Sequence, residues 1–208
     1  MNADKSKRTK KISVIDRVLL LITGLLAAYQ IGFGINAVEL LPVVSYTVAF
    51  GVLLVAGLLI IILGFEVLDS PAVVIVSTLI PLSLSMGLVA EHIQSWLLPY
   101  FVFVILGLIL VTASRFVGSK LTNVILLAVV HGISGLVIFL LPILRSIAGA
   151  APSLFSFVGI GGALIGVGGL LLSFQKMGKP ILSREMILSV LPSLLLLMAI
   201  CFVVGFSA

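Results

Sequence analysis

Gly51-Val-Leu-Leu-Val-Ala-Gly-Leu-Leu-Ile-Ile-Ile-Leu-Gly64 runs for fourteen positions without a polar side chain. A transmembrane β-strand alternates polarity every second residue; this stretch is apolar all round. In hydrocarbon every backbone N–H and C=O must find its partner within the protein, so a continuous apolar run of this kind is a helix. The same texture covers most of the chain. Of its 208 residues 62% are apolar and 9% charged, whereas a water-soluble domain carries roughly a quarter charged residues. That excludes a soluble globular domain, and the hydrophobicity excludes disorder.

At about 20 residues per crossing, the runs place seven transmembrane helices at 18–37, 43–65, 71–90, 96–113, 121–144, 153–174 and 187–207. The fold class is an all-α polytopic membrane bundle. Residues 1–17 form a basic cytoplasmic tail and 18–208 one transmembrane domain, divided into a first three-helix unit (18–92), a linker helix (96–113) and a second unit (121–207). The basic start followed by an apolar run without an A-x-A site reads as an uncleaved first helix.

Charge sets the orientation. Lys5, Lys7, Arg8, Lys10, Lys11 and Arg17 precede the first span, which places them beside anionic lipid rather than nucleic acid. With the N-terminus inside, Arg115, Lys120, Lys176, Lys179 and Arg184 join them, and Arg145 alone lies outside. This asymmetry predicts N-in, C-out in the cell (cytoplasmic, inner) membrane. Tyr46, Trp96 and Tyr100 fit an outer aromatic belt. Cys201 is alone, so neither a disulfide within the chain nor a cysteine metal site is expected.

Shifting the chain by 111 positions lays span 1 on 5, 2 on 6 and 3 on 7 without a gap. Ile22-Thr-Gly-Leu falls on Ile133-Ser-Gly-Leu, Gly51 on Gly162, Gly57 on Gly168, and Thr78-x-x-Pro81 on Ser189-x-x-Pro192. Glycine and proline fix backbone geometry, so their coincidence carries more than matching leucines do. The layout is three helices, a connector and three helices, the two units pointing the same way through the membrane. Parallel repeats of that kind, related by an axis along the membrane normal, occur in several transporters, the SWEET sugar carriers among them. The similarity is one of layout; that family's signature residues are absent.

His131 is the one ionisable group well inside a span, which makes it a functional candidate. A hydrogen bond to Ser134 or to a helix carbonyl is the structural alternative. A haem between His92 and His131 would need both at one depth; His92 lies at a span end and His131 roughly 15 Å in at 1.5 Å per residue. Pro81 and Pro192 each remove a backbone donor in mid-span, and Thr78 and Ser189 stand near enough to satisfy freed carbonyls. Gln30 reads as an interhelical hydrogen-bonding group. The cluster Gly159, Gly161, Gly162, Gly166, Gly168 and Gly169 lacks the strand-loop-helix setting of a phosphate loop and reads as close helix packing. Glu66 and Asp69 read as solvated loop charges.

No catalytic motif is present, so an enzyme is not expected, nor is a cofactor or a metal. The chain reads as a small permease or channel for neutral or apolar solutes, its path lined by His131, Thr78, Pro81, Ser189, Pro192 and Gln30. The alternative is a non-catalytic scaffold, assembly factor or accessory subunit that packs against a membrane partner or a second copy. The seven-span count is checked by reporter fusions: one after Ala208 should report outside, and one in the 176–184 loop inside. Both on one side would overturn it.

Overall fold

The computed structural model describes residues 10–35, 39–176 and 182–207. The first helix, α1 (Val14–Tyr29), begins where Ser13 and Asp16 close a capping box. The Ser13 hydroxyl accepts from the Asp16 N–H at 3.1 Å, and the Asp16 carboxylate accepts from the Ser13 N–H at 2.9 Å. Two orphan donors are thereby satisfied. This start lies four residues before the expected span, so Asp16 and Arg17 belong to the helix rather than to the tail. At its far end α1 widens into a π-helical turn, Gln30–Gly34.

α2 (Leu40–Leu63) stops at Gly64, whose φ of 80° and ψ of −178° are open almost only to glycine. A 3-10 turn, Phe65–Asp69, then leads into α3 (Pro71–His92), with Pro71 in the first turn, where its missing N–H has no intrahelical partner to lose. α4 (Leu97–Val117), α5 (Lys120–Ile147), α6 (Ser156–Lys176) and α7 (Arg184–Phe206) follow. Ser119 and Ser183 cap α5 and α7 by accepting from Thr122 N and Met186 N. No strand occurs among the described residues. Six of the helices are long and apolar enough to cross a membrane, and α6 spans 21 residues. The protein is a multi-pass helical membrane protein by length and composition.

Six helices pack in a closed cycle, α1–α2–α3–α5–α6–α7 and back to α1, while α4 lies against α3 and α5 outside it. Inside the cycle Ala27, Phe50, Leu53, Leu84, Leu88, Ile138, Val158, Met198 and Phe202 form one apolar core. A second core of Leu20, Ile60, Phe65, Leu188 and Leu191 closes the end that carries the basic tail. α4 is fastened by Val111 against Leu82 and Val130. Lys10 sits 5.6 Å from the centre of the Phe65 ring at the basic end. Phe206 lies 4.8 Å from the Tyr46 ring at the far end, so the two ends of the described chain are on opposite ends of the bundle.

Glycine permits the closest of these contacts. A Cβ on Gly87 would strike the Tyr46 ring, which is buried and cannot swing away. Gly51 of α2 has nothing within 4 Å of where a Cβ would stand. Gly87→Ala is therefore expected to cost about 1–3 kcal/mol by overpacking, and Gly51→Ala to be neutral or slightly stabilising. Thermal unfolding of both variants in the same detergent checks the difference; equal melting temperatures would refute the packing account.

Candidate functional site

Of the six residues expected to line a path, Thr78 and Ser189 stand in different settings. Thr78 is fully buried on α3 and its hydroxyl donates to Val74 O at 2.8 Å. Ser189, its counterpart at the 111-residue offset, is exposed on α7 and donates to Glu185 O at 2.7 Å. Both hydroxyls turn back to their own helices rather than into a shared cavity. The difference has a physical source: α3 carries α4 beside it, and α4 packs on α3 and α5 but not on α7. Pro81 is half-buried and Pro192 buried, so neither is an exposed, lipid-facing residue. A third mid-helix proline, Pro142 of α5, was not singled out from the sequence.

His131 is half-buried, and its Nδ1 lies 3.0 Å from Leu127 O on the same helix. A carbonyl can only accept, so Nδ1 carries the proton and Nε2 is left as the acceptor of the neutral ring. Ser134 is not its partner. Gln30 also departs from expectation: its Nε2 donates to Gly34 O at 2.7 Å, within the π turn and not to a neighbouring helix. It is 1% exposed, and its Oε1 has no partner among the described residues.

Two groupings escaped the sequence reading. At the far end Tyr46, Phe50, Phe155, Phe202 and Phe206 form a linked aromatic set with ring centres 4.8–6.5 Å apart. The His92 ring stands edge-on to Phe155 at 4.9 Å. The Tyr46 hydroxyl donates to Glu91 Oε2 at 2.8 Å, tying α2 to α3. Tyr46 is thus a core residue and not part of a membrane-surface belt; its ring packs on Gly87, and only its hydroxyl reaches the exposed carboxylate. Tyr100 is buried as well, its hydroxyl beside those of Ser85 and Ser134 where α3, α4 and α5 meet. Trp96 alone of the three belt candidates is exposed. An aromatic in the first turn of a span reads the same whether it faces headgroups or a neighbouring helix, which is why the sequence could not separate them.

At the basic end Asp69 is not a free loop charge, because Arg184 Nη2 pairs with its Oδ2 at 2.6 Å. Lys10 pairs with Asp16 at 3.0 Å, which takes one tail cation away from lipid. Lys5, Lys7, Arg8 and Lys179 lie outside the described residues. Gly159, Gly161 and Gly162 do serve packing, meeting Phe139, Phe202 and Ile138, whereas Gly166 faces open space. Among the described residues no three His, Cys, Asp or Glu side chains come together as a metal-holding group.

Because the His131 bond is local to its helix, His131→Leu should retain the fold and cost no more than the ~0.6 kcal/mol average of such bonds in membranes. Unfolding monitored by circular dichroism in detergent checks this; a loss of several kcal/mol would show that the ring does more than meet Leu127. Comparison of the chain with family models, with characterised proteins and with solved structures gave no match.

Proposed function

We propose that this protein is a small, non-enzymatic permease or channel for neutral or apolar solutes, with its path along the axis of the six-helix cycle. The packing order carries the reading. Exchanging α1–α2–α3 for α5–α6–α7 leaves the cycle unchanged, and it sets α3 opposite α7 with their prolines. Pro142 falls on the 111-residue equivalent of Ile31, so the proline of α5, which lacks a backbone donor, matches the π turn of α1 in position. Thr23 and Ser134, Ala27 and Ile138, and Gln30 and Leu141 are matched pairs that are all buried. These agreements support a parallel repeat of two three-helix units.

The chemistry of the interior supports a neutral cargo. Among the described residues Asp16 is the only Asp, Glu, Lys, Arg or His that is buried, and it is spent on the α1 cap. Charge-coupled transport would need a titratable group along the axis. Both ends are shut here, by the aromatic set at one and by Phe65 with its neighbours at the other. The proposed setting is a cell membrane, with the tail on its anionic cytoplasmic face.

The filled axis is also what a scaffold would show, and transport decides between the two. Vesicles containing the protein should swell faster than empty ones in gradients of glycerol or urea. Phe206→Ala, which trims the aromatic set at the last turn of α7, should raise the rate further. Swelling equal to empty vesicles for both proteins would overturn the permease and leave the scaffold.

A further inference from the structure

We infer that the Gln30 amide, held at the π turn of α1, is a binding site for a small neutral molecule with a single N–H or O–H donor on an apolar body. The inference rests on the proposed axial path, of which it names the ligand class.

The site is built rather than incidental. Interior-facing positions of α1 run Leu20, Thr23, Gly24, Ala27, Gln30 and Gly34, the 3.6-residue spacing of one helix face. Widening to a π turn at Gln30–Gly34 breaks the regular ladder, a feature that recurs at functional sites. The amide lies over Gly34, where any Cβ would collide with its Oε1, Cδ and Nε2. Its orientation is fixed chemically. Nε2 donates to Gly34 O at 2.7 Å, and the opposite flip would set two acceptors against each other. Oε1 is therefore a fixed acceptor with no partner among the described residues, on a side chain 1% exposed. Buried acceptors are normally paired, because leaving one empty is unfavourable.

The surroundings define what the missing donor belongs to. Ala27, Ile31 and Ile35, on either side of Gln30, pack into the cluster that holds Tyr46, Ala49, Phe50 and Phe202. Tyr46 has committed its hydroxyl to Glu91, so it offers Oε1 nothing. The ionised group bonded to this cluster is the Glu91 carboxylate, on the Tyr46 hydroxyl, so an anionic ligand would meet no counter-charge there. One acceptor among aliphatic and aromatic side chains selects one donor on an apolar, ring-compatible frame. The unpartnered hydroxyls of Tyr100 and Ser134 differ in kind, since hydroxyls rotate and these two, with Ser85, can satisfy one another.

The test uses a shape-matched pair, indole and benzofuran, which differ in the N–H. Binding is measured by equilibrium dialysis against the full chain in nanodiscs, with empty nanodiscs subtracted. Indole should bind about three- to tenfold more tightly than benzofuran, the net worth of one hydrogen bond. In Gln30→Met, which keeps length and removes the acceptor, that ratio should fall to one while benzofuran binding persists. A wild-type ratio of one means that a buried water satisfies Oε1, and overturns the site without any variant. A ratio that survives in Gln30→Met places the donor elsewhere and also overturns it, as does the absence of binding by either compound. Solute flux without selective binding would leave the permease standing alone; selective binding without flux would leave the site and remove the permease.

Discussion

Lipid supplies no hydrogen bonds to a helix backbone and no hydrophobic force between helices, so this bundle is held by how closely its surfaces can approach. Glycine sets that distance. Gly87 admits the Tyr46 ring, Gly161 admits Phe202, and Gly205 lets α7 reach Val158 of α6. Each notch faces a large side chain on a neighbouring helix, so the aromatic set at the far end and the glycines beneath it are one feature. The rings could not interlock at 4.8–6.5 Å if the backbones carrying them stood further apart.

Polar groups divide the bundle by depth. Charges pair at the basic end, where Lys10 meets Asp16 and Arg184 meets Asp69. These bonds join α1 to its own approach and α7 to the α2–α3 connection. At the far end neutral donors reach carboxylates, the Tyr46 hydroxyl that of Glu91 and the Gln94 amide that of Glu39. Between the ends the buried hydroxyls of Thr23, Thr78 and Ser85 turn back to carbonyls of their own helices. Such bonds satisfy the side chain without tying helices together, which leaves helix association to van der Waals contact. Gln30 departs from this pattern because an amide has two ends, and only one can fold back.

The helices were legible in the sequence because the bilayer leaves a single solution for an apolar run, and their bounds lie within a few residues of the expected spans. Local chemistry moved the ends: the Ser13 box drew α1 forward, and Gly64 stopped α2 ahead of Phe65. Direction around each helix was not legible. An apolar helix has no polar face to mark which side is buried, so Tyr46 and Tyr100 read as belt residues although both are buried. Gln30 was found by its polarity, yet its partner was not. A π turn has no signal in the residues Gln-Ile-Gly-Phe-Gly beyond the two glycines that tolerate it.

α4 explains why matched residues agree in some places and not in others. A cycle of two equivalent triplets would bury equivalent residues equally, but α4 covers α3 and α5 and leaves α7 and α1 without a counterpart. Outward positions must then diverge, as buried Thr78 and exposed Ser189 do. Ala27 and Ile138, which both belong to the main apolar core, are buried alike. At the same offset the buried pair Gln30 and Leu141 differs in one chemical respect: Leu141 carries no acceptor where α1 has an amide.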